Sequence, residues 1–179
     1  TFTLLDKAGK TLHVENQKFG FRTIETRESD GLYINGRRVM IKGVNRHSFR
    51  PESGRTLSKA KNIEDVLLIK RMNMNAVRLS HYPADPEFFE ACDSLGLYVM
   101  DEADIEEHGL RGTLASTPDW HAAFLDRAVR MAERDKNHPS IVMWSMGNES
   151  GYGPNFAAIS AWLHDFDPTR PVHYEGAQG

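Results

Sequence analysis

Residues 141–153, IVMWSMGNESGYG, decide how this chain is read. Ile141 to Trp144 are large and apolar, as in a strand buried on both faces. The chain then delivers Gly147, Asn148, Glu149 and Ser150, placing an amide beside a carboxylate where a dry strand should end. That pairing carries weight only if other strands end the same way.

They do. Three more apolar runs precede it, VMIKGVN (39–45), NAVRLS (75–80) and LYVMDEA (97–103), and PVHYEG (171–176) begins a fifth. The first ends in Asn45, Arg46 and His47, and the second carries Arg78 and ends in Ser80 and His81. The third ends in Asp101, Glu102 and Asp104, with Glu106 and His108 in the loop beyond. Between the runs lie helical patterns. One spans about 59–73, with Ser58 as N-cap and Ile63, Val66, Leu67 and Lys70 at helical spacing. Asp85-Pro86 opens a second that Gly96 closes, and Thr117-Pro118 opens a third that stops before Pro139. A fourth carries Ile159, Trp162, Leu163 and Phe166 and ends before Pro168, with Trp162 read as core.

Apolar strands alternating with helices predict an α/β fold with a parallel sheet covered by helices. Both a doubly wound sheet and a (β/α)8 barrel fit. The glycine fingerprint of dinucleotide-binding sheets follows none of the strands. In barrel enzymes the chemistry sits at the carboxyl ends of several strands, where the polar clusters of this chain fall.

Residues 1–28 differ. TFTLL and TLHVE flank the turn DKAGK, a hairpin pattern with Gly9 free to take positive φ, and FGFRTIETR is a third alternating run. The chain has 179 residues, is 40% hydrophobic and 26% charged, and carries a formal net charge of −3. That charge argues against a nucleic-acid partner, and no apolar run is long enough to cross a bilayer. The one cysteine, Cys92, excludes an internal disulfide, leaves the compartment open and reads as inert packing.

Singly, these residues have plain alternative readings. Glu149 could be a solvated loop acid, but Trp144 just before it suggests the apolar setting that a proton donor requires. His47 and His81 could be satisfied core histidines. Arg78 could pair with Asp101 or Glu102 rather than touch a substrate. Glu106 and His108 are spaced as many exposed pairs are, although one histidine with carboxylates suits Mg²⁺ or Mn²⁺ better than structural zinc.

Taken together and in order, GVNRH, AVRLSHYP, DEADIEEHG, RDKNHPSIVMWSMGNESG and DPTRPVHYEG resemble glycoside hydrolase family 2, on the side of its bacterial β-galactosidases. The resemblance runs from about Phe19 to Gly176. It implies that residues 1–30 are the last strands of an immunoglobulin-like β-sandwich and that residues 31–179 are the first half of a (β/α)8 TIM barrel. It assigns Glu149 as the general acid/base and His47 and His81 to holding the sugar and stabilising the transition state. It makes Asn148 substrate-binding and Glu106, His108 and Glu149 ligands of Mg²⁺; Arg78, carried by the second apolar run, is taken with Asn148 as a substrate-binding candidate. Na⁺ is also compatible with the resemblance, but its ligands are not identifiable in this sequence. The implied substrate is a β-galactoside such as lactose, and the implied enzyme is a cytoplasmic homo-oligomer that binds neither nucleic acid nor membrane.

Two positions depart from the family pattern. Glu107, between the proposed ligands, and Asp104, often Asn in relatives, are expected to add negative charge near the metal. A retaining glycosidase also needs a second carboxylate as nucleophile. Glu175, the one downstream carboxylate on a strand, matches no family nucleophile. The alternatives are a β-glucuronidase or β-mannosidase of the same family, or a non-catalytic piece that needs a complementary chain. With about five of eight strands, the 179 residues alone are expected to associate or dissolve poorly and to lack activity.

Overall fold

A computed structural model of the chain describes residues 1–177; the last two residues of the expected barrel segment lie outside them. Among the described residues there are ten β-strands and four α-helices. Strands β1 (Phe2–Leu5) and β2 (Thr11–Glu15) pair as the expected antiparallel hairpin, with Gly9 at φ 81° in the turn. Strands β3 (Ile24–Arg27), β4 (Gly31–Ile34) and β5 (Arg37–Val39) form an antiparallel meander. Asn35 and Gly36, both at positive φ, make the tight turn between β4 and β5. Position 30 therefore falls between two strands of one small sheet.

The rest is a five-stranded parallel sheet of β6 (Gly43–Arg46), β7 (Ala76–Leu79), β8 (Tyr98–Glu102), β9 (Ile141–Ser145) and β10 (Val172–His173). Helices α1 (Lys59–Arg71), α2 (Pro86–Leu95), α3 (His121–Asp135) and α4 (Pro154–Phe166) fill the four crossovers. The strands stand side by side in chain order, each parallel to the one before. This order bears out the expected barrel over the doubly wound sheet, which strand–helix alternation by itself does not separate. A doubly wound sheet reverses its strand order at a switch point, whereas a barrel advances in one direction. With crossovers of one hand, every helix then lies on the same side.

Strand registers show the two faces. Val77, Val99 and Trp144 join the buried cluster with Phe88, Phe89, Phe124, Phe156 and Leu163 from the helices. On the opposite face Arg78 stands beside Met100, and Met100 beside Met143. These half-buried side chains line a hollow of about 570 Å³. The alternation sends every second residue toward the barrel interior, so the polar residues that end the strands divide between the two faces.

Local detail departs from the sequence pattern in three places. The predicted strand 39–45 is two strands: β5 closes the meander and β6 opens the parallel sheet. Asn75 bridges the gap, accepting from the Lys42 N–H at 2.8 Å and donating to the Met40 carbonyl at 2.9 Å. An apolar run cannot reveal that the chain changes sheets inside it. On α1 the buried face is Asn62, Val66 and Ile69, rotated from the predicted one. Asn62 turns inward because it accepts from Arg46, which enters the helix layer, pairs with Asp65 and lies over the Phe88 ring. The third helix begins with a 3₁₀ turn at Pro118–Trp120 before α3 proper. Ser58 does cap α1 through the Lys61 N–H, and Gly96 closes α2 in the left-handed conformation. Cys92 is fully buried and burial pushes its thiol pKa up, as inert packing requires. Trp162 is half-buried against the core and stacks on Phe166.

Asp101 also faces the helix layer, fully buried, with neither carboxylate oxygen hydrogen-bonded among the described residues. Burial, and then the charge of Asp135, raise its pKa well above the usual carboxylate range. A raised native pKa contributes stability that is present below the unfolded value of about 4 and lost as pH rises through the native one. The neutral isostere Asp101→Asn should escape that loss. Urea midpoints measured across a pH series should therefore show the variant gaining on the wild type as pH rises. A constant difference would mean that Asp101 is ionised in the fold.

Candidate active site

The carboxyl ends of the parallel strands gather the polar residues picked out in the sequence. His47 follows β6, and its ring meets that of His81, after β7, edge to face at 5.4 Å. His47 is exposed, with Nδ1 3.4 Å from the Tyr82 hydroxyl. His81 Nδ1 lies 2.7 Å from Glu102 Oε1. Arg78 donates through Nε to Glu102 Oε2 at 2.6 Å and through its terminal nitrogen to Asn148 Oδ1 at 2.9 Å. Of the partners foreseen for Arg78 the structure selects Glu102, because Asp101 points to the other face.

Asn148 is buried, and its amide is engaged on both sides. Its oxygen accepts from Arg78 and its nitrogen donates to Glu106 Oε1 at 3.2 Å. Its backbone N–H also donates to the Ile105 carbonyl at 2.9 Å, tying the loop after β9 to the loop after β8. Next to it Glu149 projects outward with 54% of its side chain exposed, and His108 Nδ1 lies 2.5 Å from its Oε2. Glu106, His108 and Glu149 each offer a ligand atom, all within 4.8 Å of one another. Two carboxylates and one imidazole at that spacing can share a single divalent cation, with open positions left for water.

Glu149 has φ 40°, a left-handed backbone unusual for a residue with a side chain. The loop around it supplies the restraint. Glu175 Oε1 accepts the Glu149 N–H at 2.5 Å, and the Tyr174 hydroxyl accepts the Ser150 N–H at 3.1 Å while donating to the Gly151 carbonyl at 2.5 Å. Burial pushes the Tyr174 phenol up to about 12, so it remains a donor. Gly147, at φ 151°, passes so close to the loop after β8 that a Cβ would lie 2.5 Å from the Ile105 carbonyl oxygen. At Gly151 a Cβ would lie 2.8 Å from the Gly112 Cα. The two loops are thus seated against each other backbone to backbone.

Three expectations need correction. Trp144 does not shelter Glu149: it is fully buried on the helix face, where its indole N–H donates to Asp167 Oδ2 at 3.0 Å. Strand alternation and the bend at Gly147 send the two side chains apart. Glu107 adds no charge at the proposed metal ligands. It is buried and accepts the Leu114 and Ala115 N–H groups at 2.8 and 2.7 Å. Asp104 instead pairs with Arg127 of α3 at 3.2 Å.

The sequence reading gave Glu102 only as a possible partner of Arg78 and gave no role to Ser145, Ser150 or Tyr174. Ser145 donates to Glu102 Oε2 at 2.7 Å, and Ser150 donates to the Asn148 carbonyl at 2.7 Å. The available signal for Glu102 was its alternation with Met100, which puts it on the interior face two residues beyond the Arg78 register position.

Residues 24–179 match the profile described as "Glycosyl hydrolases family 2, TIM barrel domain". The chain is 52% identical over 176 residues to a β-galactosidase of Pseudoalteromonas haloplanktis, covering 97% of this chain and 17% of that protein. A β-galactosidase of Lactococcus lactis subsp. lactis is 49% identical over 176 residues, covering 97% of this chain and 18% of that protein. Among solved structures, a β-glycosidase from Bacteroides vulgatus superposes with a TM-score of 0.72 at 32% identity, over 86% of this chain and 20% of its own. A β-glucuronidase from Ruminococcus gnavus, in complex with C6-substituted uronic isofagomine, superposes with a TM-score of 0.81 at 27% identity, over 95% of this chain and 30% of its own. This chain belongs to glycosyl hydrolase family 2, and residues 24–179 fall in its TIM barrel domain. It spans less than a fifth of the length of the curated relatives it matches here. None of its described helices is long and apolar enough to cross a membrane.

The buried Glu107 carboxylate makes a local prediction. Glu107→Ala would leave the Leu114 and Ala115 N–H groups without their acceptor, at a cost of about 2 kcal/mol in unfolding free energy. Chemical denaturation of variant and parent measures it. A change near zero would show that water replaces the carboxylate there.

Proposed function

We propose that the protein carrying this chain is a retaining β-galactosidase, to which these residues contribute the acid/base side of the active site. One observation carries the reading: Glu149, in the loop after β9, is exposed beside His108, in a chain about half identical to proteins named β-galactosidase. The solved β-glucuronidases share the fold at lower identity, so the galactoside reading is preferred over a glucuronide.

In this reading Glu149 donates a proton to the glycosidic oxygen as the bond to the sugar breaks. The same carboxylate then takes a proton from the water that releases the glycosyl-enzyme intermediate. The nucleophile is assigned to no residue of this chain. Glu175 is an unsuitable candidate, since its carboxylate accepts the Glu149 backbone N–H. His47 and His81, edge to face after β6 and β7, offer imidazole nitrogens to sugar hydroxyls. Arg78 shares Glu102 with His81 and donates to the buried Asn148 amide.

We assign Glu106, His108 and Glu149 as the residues that would hold Mg²⁺, on the strength of their spacing and oxygen-rich donor set. The ion, when bound, supplies fixed positive charge next to the acid/base. Apart from it, the imidazole of His108 at 2.5 Å orients the Glu149 carboxyl group.

Glu149→Gln in the full-length enzyme should lower kcat/KM by about 10²- to 10³-fold for β-galactosides with poor leaving groups, and by only about tenfold for good ones. Only the poor ones need protonation. Equal losses would remove Glu149 from the acid role.

The double variant Glu106→Ala with His108→Ala should bind Mg²⁺ at least about 100-fold more weakly by calorimetry while its circular dichroism stays that of the parent. Unchanged binding would place the ion elsewhere.

A further inference from the structure

Glu102 is a carboxylate with no exposed surface, paired with the partly exposed Arg78 and His81. Its oxygens are fully used. Oε1 lies 2.7 Å from His81 Nδ1, while Oε2 accepts Arg78 Nε at 2.6 Å and the Ser145 hydroxyl at 2.7 Å. We propose that Glu102 is a positioning residue for glycoside cleavage: its buried carboxylate fixes the tautomer of His81 and, through Arg78, the orientation of the Asn148 amide. This rests on the glycosidase reading given above.

The argument follows from donors and acceptors. An ionised carboxylate only accepts hydrogen bonds, so the Nδ1 that meets it must carry the proton. In the neutral ring Nε2 is then an acceptor, free to receive a hydroxyl from the sugar side. Arg78 extends the same logic. Held at Nε by Glu102, it turns its terminal nitrogen to Asn148 and demands an oxygen there, which leaves the Asn148 nitrogen to donate to Glu106 Oε1 at 3.2 Å. One buried charge thus orders side chains from three strand ends.

Burial makes the order rigid, because a carboxylate stripped of water is stable only with its donors in place. The two cationic or protonatable partners are 80% buried, so neither can rotate into solvent without uncovering Glu102. A glutamine of the same shape offers one acceptor and one donor. Its oxygen would satisfy Arg78 and Ser145, and its amino group would then oppose the Nδ1 proton of His81. His81 would have to shift its proton to Nε2 or turn its ring.

Glu102→Gln in the full-length enzyme tests the proposal. The expected result is a loss in kcat/KM of about 30- to 100-fold, alike for β-galactosides with good and with poor leaving groups. That uniform loss separates positioning of sugar contacts from damage to the acid/base. In a double-mutant cycle with His81→Ala, the combined loss should be smaller than the product of the single losses, because both changes remove the same contact. A crystal structure of Glu102→Gln should show the His81 ring or the Asn148 amide reoriented over unchanged β7 and β8 backbones.

Lower thermal stability with kcat/KM within about twofold of the parent would overturn the proposal and leave Glu102 a packing residue. Multiplicative losses in the cycle would do the same. If the parent hydrolyses no β-glycoside, the functional reading fails, and the crystal structure alone decides: unmoved His81, Arg78 and Asn148 would overturn the positioning role. Should Glu102→Gln not fold, Ser145→Ala removes one donor from the same oxygen and should give a loss of about three- to tenfold, again independent of leaving group. No loss would count against the proposal.

Discussion

Parallel pairing is the constraint on which this structure depends. Strands that run side by side in chain order all finish at the same rim, whatever their sequences. Each crossover helix returns the chain to the opposite rim, so polar residues as far apart in sequence as Arg78 and Asn148 arrive together. Arg78 from β7, Glu102 from β8 and Asn148 beyond β9 touch because of this rule and not because of any local motif. The apolar part of each strand makes the rule affordable by holding the sheet from the helix side, where Phe88, Phe89 and Phe156 are completely buried.

The two faces of the sheet treat charge differently. On the helix face, Arg46 is neutralised by Asp65 and Arg170 by Asp167, while Asp101 sits without a hydrogen-bond partner among the described residues. On the interior face Glu102 has three side-chain partners, of which Arg78 and His81 are partly exposed. Successive residues of one strand, Asp101 and Glu102, therefore lie in unlike surroundings although their sequence context is the same.

That contrast marks the limit of what the sequence made legible. The strand–helix alternation, the helix stops at Gly96 and Pro168, and the polar strand ends were all readable, because periodicity and turn chemistry are local properties. The repeating unit by itself leaves barrel and doubly wound sheet open, but the missing glycine fingerprint, the polar strand ends and the family resemblance pointed to the barrel, which the spatial order of the strands bears out. The switch from β5 to β6 within one apolar run was hidden, because a change of sheet leaves no mark on periodicity. At the site, the residue types at the rim were foreseen, but their partners were not. Trp144 and Glu149 are close in sequence yet face apart, and Glu107 lies between Glu106 and His108 yet turns inward to the Leu114 and Ala115 amides.

The contact between the loops after β8 and β9 has a consequence for how such a site can change. Gly147 and Gly151 meet Ile105 and Gly112 at distances that leave no room for a methyl group. Neither loop can be lengthened or recoloured by itself without prising the other away and carrying Glu106, His108 and Glu149 apart. Residues 103–116 and 147–153 therefore form one inheritable module. Recombination, natural or designed, that cuts between them would assemble a folded barrel with a mismatched seam. A graft that moves both segments together should carry the geometry of the site with it.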